Sequence, residues 1–194
     1  MLRLLALPLL IAVVAAPASG QGAARMSPTA PRVLFAASDS VKTDDGTYAR
    51  ITTTLRYLPE AGEFVHTVED ARGEVLSREV RTSTVAGPTA EEEAEAQALV
   101  AEQSEVARLV GAAEHPVVVQ GGFPLVREAG TDCGPGSRCL MYDVLEVVPH
   151  ERAPRRLRYV IVDLRTLRVV SADADPVGEG NLVHPAARRQ SRSW

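Results

Sequence analysis

Apolar and polar residues alternate along much of this chain, and a period of two is the mark of a half-buried β-strand. Residues 32–38 (RVLFAAS) and 48–58 (YARITTTLRYL) are rich in β-branched and aromatic side chains and flank Asp44-Asp45-Gly46, so they predict a strand pair. EFVHTVE and EVLSREVRT flank Asp70-Ala71-Arg72-Gly73, which predicts a hairpin with a glycine free to take a positive φ. The period then changes. Thr89 and Glu92 stand at capping-box spacing, and Glu91, Glu92 and Glu93 suit the positive end of a helix dipole. Leu99, Val106, Val110 and Ala113 follow on one helical face with Leu109 beside them, so the spacing predicts a helix over 90–111, ended by Gly111 and Pro116. Beyond it the strand pattern returns in HPVVVQGG, FPLVREA, residues 140–148, residues 157–164 and RVVSAD. The polar PHERAPRR makes residues 140–148 and 157–164 an antiparallel pair.

This order predicts an α+β fold, with one main helix packed across a curved antiparallel sheet over residues 89–172 and a β-hairpin region over 32–88 before it. A faint internal repeat runs through it. Laying residues 65–77 (VHTVEDARGEVLS) over 159–171 (YVIVDLRTLRVVS) matches Val68 with Val162, Glu69 with Asp163, Val75 with Val169 and Ser77 with Ser171. Each half would then end in a hairpin of the same length.

The two ends of the chain do not follow either period. Residues 1–20 set Arg3 before an apolar run over 4–16 and then small residues, the layout of a secretory signal peptide. That run is shorter than the ~20 residues of a membrane span. Residues 21–31 read as a disordered leader and 173–194 as a disordered tail, both dominated by small residues, proline or arginine. The expected protein is therefore secreted or periplasmic. Its net charge of −4 argues against nucleic acid as a partner. Lys42 is the single lysine, in a polar loop, which disfavours lysine-based catalysis.

The capped segment PTAEEEAEAQALVAEQSEVARLV, leading through strands to YVIVDLRTLRVV, resembles the cystatin-like units of PepSY domains and of the small N-terminal domains of copper amine oxidases. The resemblance covers about residues 88–173. It implies a helix on a curved sheet and an accessory or inhibitory module. It brings no catalytic feature, because the oxidase catalytic domain needs an N-Y-D/E cofactor tyrosine and three copper-binding histidines, and neither pattern occurs here.

Few residues offer chemistry. Cys133 and Cys139 flank a Gly-Pro-Gly turn, and in an exported chain that spacing predicts a disulfide. Redox work would want C-x-x-C, and zinc would want two further ligands close by. His66, His115, His150 and His184 are scattered, no G-x-S-x-G elbow or phosphate loop occurs, and an EF-hand centred on Gly46 would put Val41 and Thr52 at ligand positions. No cofactor and no metal is expected. The basic run Arg152, Arg155, Arg156 and Arg158 at a strand turn is the candidate partner-binding surface, and Arg188, Arg189 and Arg192 form a second run in the tail. The leading expectation is a non-enzymatic exported module, an inhibitor or accessory protein, that binds an unknown exported protein. The alternatives are an exported hydrolase using His115, Asp132 and Asp143, and a structural component of the cell envelope.

Overall fold

The structure, a computed structural model, describes residues 25–174; the expected signal peptide, residues 21–24 of the leader and nearly all of the tail lie outside them. The chain forms β1 (Arg32–Lys42), β2 (Tyr48–Leu58), β3 (Glu63–Asp70), β4 (Val75–Arg81), α1 (Ala90–Ala101), α2 (Ser104–Ala112), β5 (Val117–Leu125), β6 (Cys139–Glu146), β7 (Arg155–Asp163) and β8 (Arg168–Ser171). These strands make two antiparallel sheets, β1-β2-β3-β4 and β5-β6-β7-β8.

This corrects the expected fold of one main helix across one curved sheet. The described residues are mostly β, and residues 32–88 contribute a complete four-stranded sheet instead of separate hairpins. The joining element is the β2–β3 turn, where Gly62 takes φ +65° and donates its N–H to Leu58 O at 2.9 Å. That turn pairs the two expected hairpins along Ile51–Asp70 and Leu58–Glu63. No periodicity within either hairpin reveals such a pairing.

The single helix expected over 90–111 is two short ones. Gln103 has an extended backbone (ψ 125°) and breaks the run between them. The break resets the helical phase, so Leu99 and Val106 are buried as the spacing predicts, while Val110 is left 46% exposed. The expected start holds: Thr89 accepts from Glu92 N at 3.2 Å, and Glu92 Oε2 accepts from Thr89 N at 3.2 Å. HPVVVQGG and FPLVREA, expected as two strands, are the single strand β5, which bulges between Gly121 and Phe123.

The C-terminal sheet is a three-layer core. Ala96, Leu99, Val100 and Val106 pack on Leu140, Tyr142, Val144, Val160 and Val162 from one face. On the other face Leu125, Cys133, Met141, Ile161 and Ala174 form a second cluster. The N-terminal sheet buries only its inner end, at Tyr57, Phe64 and Val65. Tyr57 and Phe64 stack there with centroids 4.6 Å apart.

The repeat has a counterpart in the ladders. β3–β4 and β7–β8 are the last hairpins of two sheets of the same order. Leu76 is left out of the β3–β4 pairing and Val170 out of the β7–β8 pairing, and these residues are equivalent in the sequence overlay. The bulged position coincides although the pairing register differs by one residue. The two hairpins are not of equal length, since β8 has four residues and β4 seven.

Candidate functional site

The disulfide loop is where the two sheets meet. Cys133 and Cys139 are bonded, as the spacing predicts, and both are buried. Inside the loop, Gly136 O accepts from the Tyr57 hydroxyl at 2.9 Å, and Gly136 N donates to Thr82 O at 2.6 Å. Gly136 (φ +86°) lies against Gly62, and a Cβ on either would meet the other's backbone at about 3.0–3.1 Å. Burial pushes the Tyr57 hydroxyl up to about 12, so it stays protonated and donates.

Beside it lies a buried charge network. Arg138 is 2% exposed and donates twice to the fully buried Glu92, from Nε at 3.1 Å and Nη2 at 2.7 Å. Its other bonds go to Ala86 O at 2.9 Å and Gly87 O at 2.7 Å, which pins the β4–α1 linker. Arg32, at the start of β1, reaches Glu92 Oε1 at 3.3 Å and Leu164 O at 2.7 Å, with its guanidinium 5.5 Å from the Tyr57 ring centroid. Burial drives the Glu92 carboxyl upward, but the Arg138 hydrogen bonds and charge, the Thr89 N–H and Arg32 outweigh it and hold the group below its ordinary value. One carboxylate thus ties β1, the linker, α1 and the disulfide loop together.

The outer part of the N-terminal sheet is different. Phe35, Leu55, His66 and Glu79 form one cross-strand row, and Ala37, Thr53, Val68 and Ser77 form the next on the same face. His66 and Val68 are equivalent in the repeat to Val160 and Val162, which lie under α1 and α2. In the C-terminal sheet that face is buried. Here, among the described residues, no helix covers it, and Phe35 remains 49% and Val41 39% exposed. The opposite face carries Arg50, Thr52, Thr54, Arg56, Thr67 and Arg78 together with the exposed Val33, Val75 and Val80.

Two cavities border β1. One, of about 410 Å³, lies between the linker and the apolar face and is lined by Phe35, Leu55, His66, Val85 and neighbours. The other, of about 570 Å³, is lined by Met26, Pro31, Arg32, Val33 and the start of α1.

The basic run is largely engaged. Arg155 pairs with the buried Glu146, Arg156 Nε donates to Asp143 at 2.9 Å and its guanidinium covers the Tyr159 ring at 4.3 Å, and Arg158 pairs with Glu105 and Asp173. The Arg155 hydrogen bond, together with the N–H groups of His115 and Glu114, keeps the Glu146 carboxyl below its ordinary value against the effect of burial. Arg152 is exposed. The three residues weighed for hydrolysis are separated: Asp132 pairs with Arg168 at 2.9 Å near the start of β6, Asp143 pairs with Arg156 in mid-strand, and His115 lies by Glu146 at its far end. No group of three or more potential metal ligands occurs among the described residues. His184 and the second arginine run, Arg188, Arg189 and Arg192, lie outside them. Arg138 and Arg32 escaped sequence reading because each looks like one more arginine in an arginine-using chain; only folding buries them.

No family model and no curated protein matches the chain. Among solved structures it is similar to a copper-containing benzylamine oxidase from Hansenula polymorpha, with a TM-score of 0.53 and 15% identity over 79% of this chain and 27% of that one. At this identity the likeness is one of fold. It extends beyond residues 88–173, so part of the N-terminal region shares the fold as well. The chain corresponds to about a quarter of the oxidase's length. No helix among the described residues is long and apolar enough to cross a membrane, and the Cys133–Cys139 disulfide is of the kind that persists in oxidising compartments.

Proposed function

We propose that this chain is an exported, non-enzymatic module that binds another exported protein through its N-terminal sheet, as an accessory or inhibitory component. The observation that carries this reading is the uncovered apolar face: its equivalent in the C-terminal sheet is buried under two helices, whereas here Phe35 and Val41 stand in solvent among the described residues. The signal-like N-terminus and the disulfide support export. The separate ion pairs of Asp132 and Asp143 lend the hydrolase alternative no support. The test compares the whole protein with a variant carrying Val68→Lys and Ile51→Lys as baits in the native exported fraction. A partner retained by the first and lost by the second is the expected result; a partner set that is the same for both removes the N-terminal sheet from the reading.

A further inference from the structure

We propose that the outer edge of β1, unpaired among the described residues, is a strand-addition site, at which an extended segment of the partner pairs along Arg32–Lys42 as a fifth strand of the N-terminal sheet. This rests on the binding-module reading above and names how the partner attaches. Exposed sheet edges invite pairing, and proteins blunt them with short strands, charges, proline or bulges. Of the four edges, β8 has four residues, β5 carries Pro124 and a glycine bulge, and β4 carries Arg78, Glu79, Arg81 and the Leu76 bulge. β1 is unlike them. It runs eleven residues without proline and has no charged residue from Val33 through Ser38. It bulges once, near its start, and exposes Val33 (51%) as well as Phe35.

The cavities add specificity to the edge. Added strands gain affinity from main-chain hydrogen bonds and selectivity from pockets that take alternate side chains. Arg32 and Val33 line one cavity, and the next two residues, Leu34 and Phe35, line the other. An added strand alongside them would set apolar side chains toward these two spaces. Farther along, Asp39 and Lys42 call for a basic and an acidic residue in the incoming segment. A second copy of this chain fits less well, because fully overlapped antiparallel pairing of two β1 strands sets Asp39 against Phe35 and Lys42 against Arg32.

The experiment selects peptides from a random displayed library on the whole protein and then measures backbone hydrogen exchange with a selected synthetic peptide bound. We expect enriched sequences with alternating apolar residues, slowed exchange in β1 and unchanged exchange in β4. Phe35→Lys should weaken peptide binding by about tenfold or more, while Leu76→Lys, an equivalent charge on the β4 edge, leaves it unchanged. Both positions are exposed, and circular dichroism and thermal melts check that each variant folds. Protection confined to the sheet face or the helices, or binding indifferent to Phe35→Lys, overturns strand addition while leaving the module reading in place. An empty selection also counts against the edge, and the bait comparison above then decides the module reading separately. Self-association abolished by Phe35→Lys would assign the edge to a second copy and overturn the proposal.

Discussion

Arg138 shows how one side chain can hold a molecule together. Its guanidinium satisfies the fully buried Glu92 with two bonds and the linker carbonyls of Ala86 and Gly87 with two more. A buried pair contributes little net stability, but removing one partner leaves an uncompensated charge. Arg138→Met should therefore cost about 3–5 kcal/mol in urea denaturation, more than Arg156→Met, which removes a 48% exposed side chain from a partner that keeps some contact with water. Acid gives a second residue-scale test. The folded-state value of Glu92 is lowered, so its stabilising contribution is full above the ordinary glutamate value and is lost as pH falls below that value through the lowered one. Asp45, held to about 2 chiefly by hydrogen bonds from Thr43 and Thr47, behaves likewise between its ordinary value of 3.8 and about 2. Unfolding midpoints in urea should be flat at neutral pH and drop as the solution is acidified through this range, and Glu92→Gln should flatten that drop. A midpoint that rises on acidification would contradict the assignment.

Among the elements, α1 has a start that was legible without tertiary information, as were the start of β1 and the full extent of β2 over Tyr48–Leu58. The capping box is a local device, made by Thr89 and Glu92 three residues apart, and local devices survive folding unchanged. Thr89→Ala should destabilise the protein by about 1 kcal/mol through the lost cap, and more if Glu92 also loses its setting beside Arg138. Thermal melts of Thr89→Ala against Thr89→Ser, which keeps the hydroxyl, separate the cap from side-chain bulk. The end of the helix was not legible, since Val110 has the right spacing yet falls after the extended Gln103. Strands showed the same division. β6 and β7 were readable as an antiparallel pair from their composition and the polar segment between them, whereas the pairing of β2 with β3 depends on a turn that sequence reading passed over. A bulged β5 likewise reads as two strands because Gly121 and Gly122 interrupt its alternation.

For the whole molecule, the disulfide matters through what its loop holds. The loop-closure model gives ~2.4 kcal/mol for a ring of this size. Yet the loop also presents Gly136 to Tyr57 and Thr82, and Arg138 to the linker. Cys133→Ser with Cys139→Ser should thus lower global stability by about 2 kcal/mol and, in addition, loosen the junction, seen as faster proteolysis and hydrogen exchange across residues 82–88. Loss of stability with no local change at the junction would restrict the bond to a simple staple. By itself the sequence determined the capped helix start, the strand content, the β6–β7 pair and the cysteine pair, because each depends on neighbours within a few residues or on the chemistry of the residue type. Only the tertiary structure decided that residues 32–88 close into their own sheet, that Arg32, Glu92 and Arg138 are buried together, and that, among the described residues, no element covers the Phe35 face of the N-terminal sheet or pairs with the outer edge of β1. Those features come from segments brought together across many residues, where burial and exposure belong to the packed molecule and leave no periodic signal in the chain.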